Sequence, residues 1–347
     1  MSSNNKKKGI IVFIIVVVLV IVSAAIQIIE NRSDGNFTIS PEDNFYDDSS
    51  IASNTGSSMI KKGNSKNHKD YIAELVISGT IQTDGKTYNQ KWLLNTIQKL
   101  SNDKHNMGII LYIDSPGGTV YEADEAYLAL VNYVNKGKPV YAYFGSLAAS
   151  GGYYIACASS YIMANRNTLT GSIGVISGNF IDLTGLFEKY GIKYTTITAG
   201  RNKNMGNCNE PMSEEQKNIM QSIADECYEQ FTRIVASSRN MDKEEVYTLA
   251  DGRIYTAKQA LNNGLIDGIG NFDSLVYQME VSEFSGEEYK IVKYEYVPKE
   301  TIYSRLMGMT QSLSRLNSSA SLPSVIEKAL ESEVPFPSYY YNNSGRF

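Results

Sequence analysis

From Tyr71 onward, apolar runs alternate with stretches of helical period. YIAELVIS (71–78), GIILYID (108–114), PVYAYF (139–144) and YIMA (161–164) predict strands. Between them Trp92, Leu93, Ile97 and Leu100 recur at helical spacing, and a second helix is predicted over Val120 to Asn135. LTGLFEKYG then predicts a helix and IKYTTIT a strand. Strands separated by helices imply βαβ units and a mostly parallel sheet with helices on its faces.

Capping signals sharpen two later boundaries. Ser213 to Gln216 forms a capping box that opens a long helix with apolar residues at Ile219, Ile223, Cys227, Phe231 and Ile234. A second box, Thr256 to Gln259, opens TAKQALNNGLID, where Gly264 suits a helix C-terminus.

The termini follow a different pattern. Lys6-Lys7-Lys8 precedes GIIVFIIVVVLVIVSAAI, residues 9–26, which at about 1.5 Å per residue reaches roughly 27 Å, close to the hydrocarbon thickness of a bilayer. The lysines predict a cytoplasmic N-terminus and an extracytoplasmic remainder. Ser23-Ala24-Ala25 also offers a signal-peptide cleavage site, but the length of the apolar run favours an uncleaved anchor. Residues 31–70 are polar and read as a disordered tether. The expected organisation is therefore lysines and anchor (1–30), tether (31–70), a folded domain (71–297) and a flexible tail (298–347). That tail ends in PFPSYYYNNSGRF, read as a solvated extension, with a short helix expected near Val325 to Leu330.

Composition removes several functions. A net charge of −5 and pI of about 5.3 offer no basic face for nucleic acid. Three scattered cysteines without a CxxC, and only two histidines, support neither a disulfide framework nor a zinc site, so no metal or cofactor is expected. Cys157 lies in an apolar run and suits core packing.

The candidate chemistry lies in two glycine pairs. Asp114-Ser115-Pro116-Gly117-Gly118 follows an apolar strand, where backbone N–H groups can turn toward an anionic oxygen. Ser150 precedes Gly151-Gly152 at a predicted strand-to-helix turn, with alanines before it. Small residues on both sides would let a peptide backbone approach its hydroxyl. Ser115, Ser146 and Ser172 are rival hydroxyls, and a simple N-cap is the structural alternative for Ser150. A nucleophilic serine needs a base, yet His68 lies in the tether and His105 in a polar loop. Lysine remains. At pH 7 an ordinary lysine is neutral in only on the order of one molecule in 2,000, so burial must lower its proton affinity by about 4 kcal/mol. Lys203 follows a predicted strand with asparagines on both sides; Lys189 and Lys193 flank a helix-to-strand turn and read as solvated charges.

Taken in order, DSPGG (114–118), AASGGYYIA (148–156), TGSIGVI (170–176), GRNKN (200–204) and ADGRIYTAKQALNNGLID (250–267) resemble the signal peptide peptidase A family of membrane-bound serine proteases, in its shorter bacterial form. The likeness spans about residues 71–290. It implies a crotonase/Clp protease-like α/β fold and a Ser-Lys dyad, with Ser150 as nucleophile and Lys203 as general base. Gly118 and Gly151 match the oxyanion-hole amides, and Ser172 matches a serine that orients the lysine. The resemblance also implies signal-peptide substrates and a ring-like homo-oligomer in which neighbouring subunits supply serine and lysine to each site. Where the family often has an acidic residue after its lysine and Ser-Pro beyond, this chain has Asn204 and Asn207-Cys208. The alternatives are a crotonase-like acyl-CoA enzyme and an inactive membrane-tethered scaffold.

Overall fold

The computed structural model describes residues 69–298 and the strand 338–340, all within the compact unit Lys62–Phe347. The expected anchor, most of the tether including His68, and the helix near Val325 lie outside the described residues.

Alternation of side chains along three central strands builds the core. These are β1 (Tyr71–Ser78), β2 (Asn106–Ser115) and β4 (Val140–Ala149), paired in parallel in the order β4-β2-β1. Ala73, Leu75 and Ile77, Ile109, Leu111 and Ile113, and Val140, Ala142 and Phe144 face one core, while Ile72, Ile110, Tyr141 and Tyr143 face the other. A period of two buried on both faces is what a helix-covered parallel sheet requires. Helices α1 (Gln90–Asn102), α2 (Val120–Val134) and α3 (Gly151–Ala156) contribute Leu93, Ile97, Leu130, Tyr153 and Tyr154 to the larger core. The smaller core is covered by α8 (Phe272–Phe284) through Leu275 and Met279.

The sheet continues through β6 (Leu169–Gly171), parallel to β4, and antiparallel β7 (Ile254–Thr256); β5 (Tyr161–Ala164) and β8 (Gly268–Ile269) branch from β4, and β9 (Lys290–Tyr294) closes the far edge on β1. The mostly parallel βαβ architecture is as the sequence predicts. The strand expected at 139–144 runs on to Ala149 because its second half changes neighbours and pairs with β6.

Both capping boxes form, at the starts of α5 (Glu214–Arg239) and α7 (Ala257–Asn262), and Gly264 sits at φ 71° just past the latter. Arg239 at the end of α5 is nearly buried, donates to Gly264 O at 2.8 Å and forks onto the Asp267 carboxylate, which also accepts from Ile162 N at 2.7 Å. This fork joins α5, the α7 cap and β5, and two parallel N–H···O bonds hold that geometry better than a single one.

One expected strand is missing, and one expected helix forms but is only partly covered, for one physical reason. IKYTTIT (192–198) forms no strand, and Ile192, Tyr194 and Ile197 are exposed, the last at 94%. The apolar stripe of α5 is buried only in its second half, at Phe231 and Val235, while Ile223 is 38% exposed. Neither segment finds a full cover among the described residues, and a strand needs a pairing edge as a stripe needs a facing surface. The helix between β6 and that segment does form, as α4 (Thr184–Lys189), without burying a residue. In the tail, Ser338–Tyr340 is a strand, β10, rather than a solvated extension; it pairs antiparallel with β3 (Gly117–Thr119).

Cys157 is core, and burial pushes its thiol up to about 12. Because the thiolate is the reactive form, iodoacetamide at pH 8 is expected to modify Cys208 first and Cys227 more slowly, leaving Cys157 untouched until the protein is denatured. Peptide mapping of the alkylated protein reads this order, and early Cys157 labelling would contradict the packing described.

Candidate active site

The carboxyl ends of β2 and β4 lie side by side, with Ser115 paired to Ala148. From β2 the chain turns through Pro116 and Gly117, at φ 97°, into β3. From β4 it turns through Ser150 into α3. A Cβ on Gly152 would lie 3.2 Å from Ser115 O, so a glycine there lets α3 pack directly on the end of β2. Carboxylate Asp114 secures the end of β4 by accepting from Ser146 Oγ at 2.7 Å and Leu147 N at 3.1 Å.

Gly118 is the tightest point. A Cβ there would fall 1.8 Å from Ile81 O, closer than any side chain can approach. On that edge Ile81 N donates to Gly117 O and Thr119 N donates to Ile81 O, both at 2.9 Å. Backbone groups alternate sides along a strand, so the N–H and C=O of Gly118 face the opposite edge. Behind β3, the buried Glu122 carboxylate accepts from the hydroxyls of Thr119 and Thr83, and Gln90 Nε2 donates to Glu122 O at 3.1 Å.

Ser150 combines burial with backbone strain. It is 1% exposed at φ 53°, ψ −118°, a conformation that costs a non-glycine residue on the order of 1–3 kcal/mol. Its N–H donates to Gly171 O at 2.8 Å and its carbonyl accepts from Tyr154 N at 2.9 Å. The hydroxyl makes no cap bond, and Oγ has no hydrogen-bond partner among the described residues. A side-chain N-cap is therefore not its role. A buried hydroxyl left without a partner is uncommon and calls for one that arrives later.

The rival hydroxyls are committed elsewhere or differently placed. Ser115 Oγ donates to Gly79 O at 2.6 Å and accepts from Gly117 N at 3.1 Å, fixing the glycine turn; Ser146 Oγ is spent on Asp114. Ser172 follows β6 at φ 49°, its N–H donating to Arg253 O at 2.7 Å. It borders a cavity of about 510 Å³ shared with Ile176, Gln221, Asp225 and Tyr228. Below it, the Arg253 guanidinium holds the Asp251 carboxyl down at about 2, so this exposed pair is intact above the ordinary carboxylate range and is lost only as pH falls toward 2.

Gly151 opens α3, where first-turn N–H groups lack intrahelical acceptors. Helix α3 approaches β3 within 8 Å between Cα atoms, so the strand that carries Gly118 and the helix that Ser150-Gly151 opens are neighbours. Two buried tyrosines pin it: Tyr153 OH donates to Leu265 O at 2.7 Å, and Tyr154 OH bridges Asp124 at 2.6 Å and Gln230 at 2.7 Å.

Lys203 stands apart. It is exposed in the loop before α5, with its N–H on Gly200 O at 3.1 Å, and it makes no hydrogen bond to Ser150 within the chain. His105 is paired with Asp70 at 2.7 Å ahead of β2, roughly 30 Å from the strand ends at the site, at about 3.3 Å per residue. Sequence reasoning missed Ile81 altogether, and it quoted Asp114, Gly171, Tyr153 and Tyr154 within motifs without reading the contacts that each makes.

The model for "Peptidase family S49" matches residues 132–283, and that for "Clp protease" matches residues 63–183. A putative signal peptide peptidase SppA of Enterococcus faecium is 35% identical over 281 residues, covering 78% of this chain and 80% of that protein. A putative protease of Synechocystis sp., slr0021, is 40% identical over 57% of this chain and 69% of its own length. The chloroplastic serine protease SPPA of Arabidopsis thaliana is 33% identical over 58% of this chain and 29% of its own.

Two substitutions test this geometry by urea denaturation. Ser150→Gly is expected to be about 1 kcal/mol more stable than Ser150→Ala, because glycine accepts the positive φ. Gly118→Ala is expected to lose at least about 1–3 kcal/mol as the Ile81 backbone is forced away, whereas Gly185→Ala, with open space around it, should change stability by less than about 1 kcal/mol. An unperturbed Gly118→Ala would contradict the close contact.

Proposed function

The chain belongs to peptidase family S49 and is a serine-type peptidase; from that premise we propose that it is a membrane-anchored endopeptidase in which Ser150 and Lys203 form a dyad. The observation that carries the reading is the Ser150 hydroxyl, buried and unpartnered among the described residues in a strained turn at the start of α3, the helix that comes within 8 Å of β3. Neutral Lys203 takes the proton of Ser150 Oγ, and the oxygen attacks the substrate carbonyl carbon. The Gly118 and Gly151 amides stabilise the oxyanion. The resulting ammonium protonates the leaving amine, and water then hydrolyses the acyl-serine by the same route in reverse.

Lys203 reaches Ser150 from a neighbouring subunit of a ring-like homo-oligomer. Among the described residues the Ser150 hydroxyl has no hydrogen-bond partner, and the lysine is exposed. The segment leading to Lys203 carries exposed Ile181, Leu186, Tyr190, Tyr194 and Ile197, and Ile223 in the first half of α5 is exposed too. Exposed apolar side chains in this number suit a protein partner. Docking a second copy there buries them, supplies the missing pairing edge for 192–198, and seats Lys203 out of water, with Ser172 orienting its amine.

By likeness to the Enterococcus faecium protein, the substrates are signal peptides left in the membrane after preprotein processing, and other apolar unfolded segments. Residues 9–26 hold the peptidase at the extracytoplasmic face, the N-terminus staying cytoplasmic. Family membership removes the acyl-CoA alternative.

The test is cleavage of a labelled apolar peptide by the wild type, Ser150→Ala and Lys203→Ala. Each variant is expected to lose about a thousandfold or more in turnover with its assembly intact by light scattering. Wild-type rates in Lys203→Ala would end the dyad. Mixing the two variants should restore about a quarter of wild-type turnover if neighbours share sites in a randomly mixed ring; no recovery would overturn the sharing.

A further inference from the structure

Glu122 is a buried carboxylate that the peptidase chemistry above leaves unused. It stands in the first turn of α2 behind the cap residue Thr119, so Thr119-Val120-Tyr121-Glu122 has the sequence of a capping box. The box does not form. At the starts of α5 and α7 the cap side chain and the glutamine three residues on accept reciprocally from each other's backbone N–H. Here Thr119 makes no side-chain cap bond, and its N–H goes to Ile81 O at 2.9 Å. The Thr119 hydroxyl donates instead into the Glu122 carboxylate, whose other oxygen accepts from Thr83 Oγ1 at 2.6 Å.

This diversion ties two segments together across the tightest contact of the site. Ile81 brackets Gly118 by donating to Gly117 O and accepting from Thr119 N, and Thr83 lies two residues beyond Ile81. One carboxylate therefore holds both sides of the Ile81–Gly118 contact, one through each oxygen. The clamp is itself fixed: Gln90 N donates to Thr83 O and Gln90 Nε2 to Glu122 O, both at 3.1 Å, while Gln90 Oε1 accepts from the buried Tyr88 hydroxyl. The first turn of a helix favours an anionic group, and a carboxylate, which only accepts, orients two hydroxyl donors at once. A glutamine in its place offers one oxygen and one NH2, so one of the two threonine hydroxyls would have to turn round.

We propose that Glu122 is a positioning residue for the oxyanion, setting the place of the Gly118 amide through Thr119 and Thr83; this rests on the peptidase reading above. It touches neither the substrate nor the reacting atoms. The amide is needed at full strength only as the carbonyl oxygen gains charge, and a misplacement of about 1 Å costs on the order of a hundredfold in rate. Loosening the clamp slows turnover and leaves peptide binding nearly as it was.

Steady-state turnover of the labelled apolar peptide by full-length Glu122→Gln, Thr119→Val and Thr119→Ser tests this, run beside inhibition by a peptide aldehyde, whose adduct with the serine puts an oxyanion-like oxygen on the same amides. Glu122→Gln and Thr119→Val are each expected to lose at least about tenfold in kcat with KM within about threefold, and to bind the aldehyde more weakly by the factor lost in kcat/KM. Thr119→Ser keeps the hydroxyl and is expected to stay within about threefold of wild type. Circular dichroism and light scattering show which variants keep fold and assembly; if Glu122→Gln loses either, the Thr119 pair decides. Wild-type kcat in Thr119→Val, or an aldehyde affinity that holds while turnover falls, overturns the proposal. A wild type that cleaves nothing takes down the peptidase reading itself, and this proposal with it.

Discussion

The backbone of Gly118 lies against the carbonyl of Ile81 at a distance that no side chain could share. That contact consumes one edge of a three-residue strand and turns the Gly118 N–H to the other, the edge that pairs with β10. The amide is held in place before any ligand arrives, by Ile81 on one side and by the Thr83, Thr119 and Glu122 cluster behind. A donor already fixed needs no reorganisation as charge develops on a bound oxygen, which is what the oxyanion role proposed for Gly118 requires.

Ser150 is fixed by the same economy of backbone contacts. Its positive φ is held by the bond to Gly171 O and by the first turn of α3, and α3 is in turn pinned by Tyr153 and Tyr154. Strain of about 1–3 kcal/mol is small beside the burial of two tyrosines, each of which removes roughly 150–250 Å² from water. The core therefore over-determines the turn, and the hydroxyl stays buried and unspent.

Much of this was legible from residue order. Period-two runs marked β1, β2, β4 and β5; capping boxes marked the starts of α5 and α7; and glycine pairs after two strand ends marked the cluster that the fold assembles. What escaped were interactions between distant positions. Nothing near Ile81 announces that its carbonyl meets Gly118, and nothing near Gly171 announces its bond to Ser150 N. The strand expected at 192–198 and the first half of the α5 stripe have the right local pattern but no full partner surface among the described residues. Local pattern reports what a segment can bury, and only the assembled neighbours decide whether it does. Placement of Lys203 is open for the same reason, since its own fold leaves it at the surface.

The central claim is that Ser150 is the atom donor of the covalent bond to substrate, and trapping the acyl-enzyme tests it most directly. An activated apolar peptide ester, mixed with the full-length protein and quenched in acid within the first turnover, should leave one acyl group per chain, mapped by tandem mass spectrometry to Ser150. Acylation of Ser115, Ser146 or Ser172 instead, or steady turnover with no acylated serine, would contradict the account.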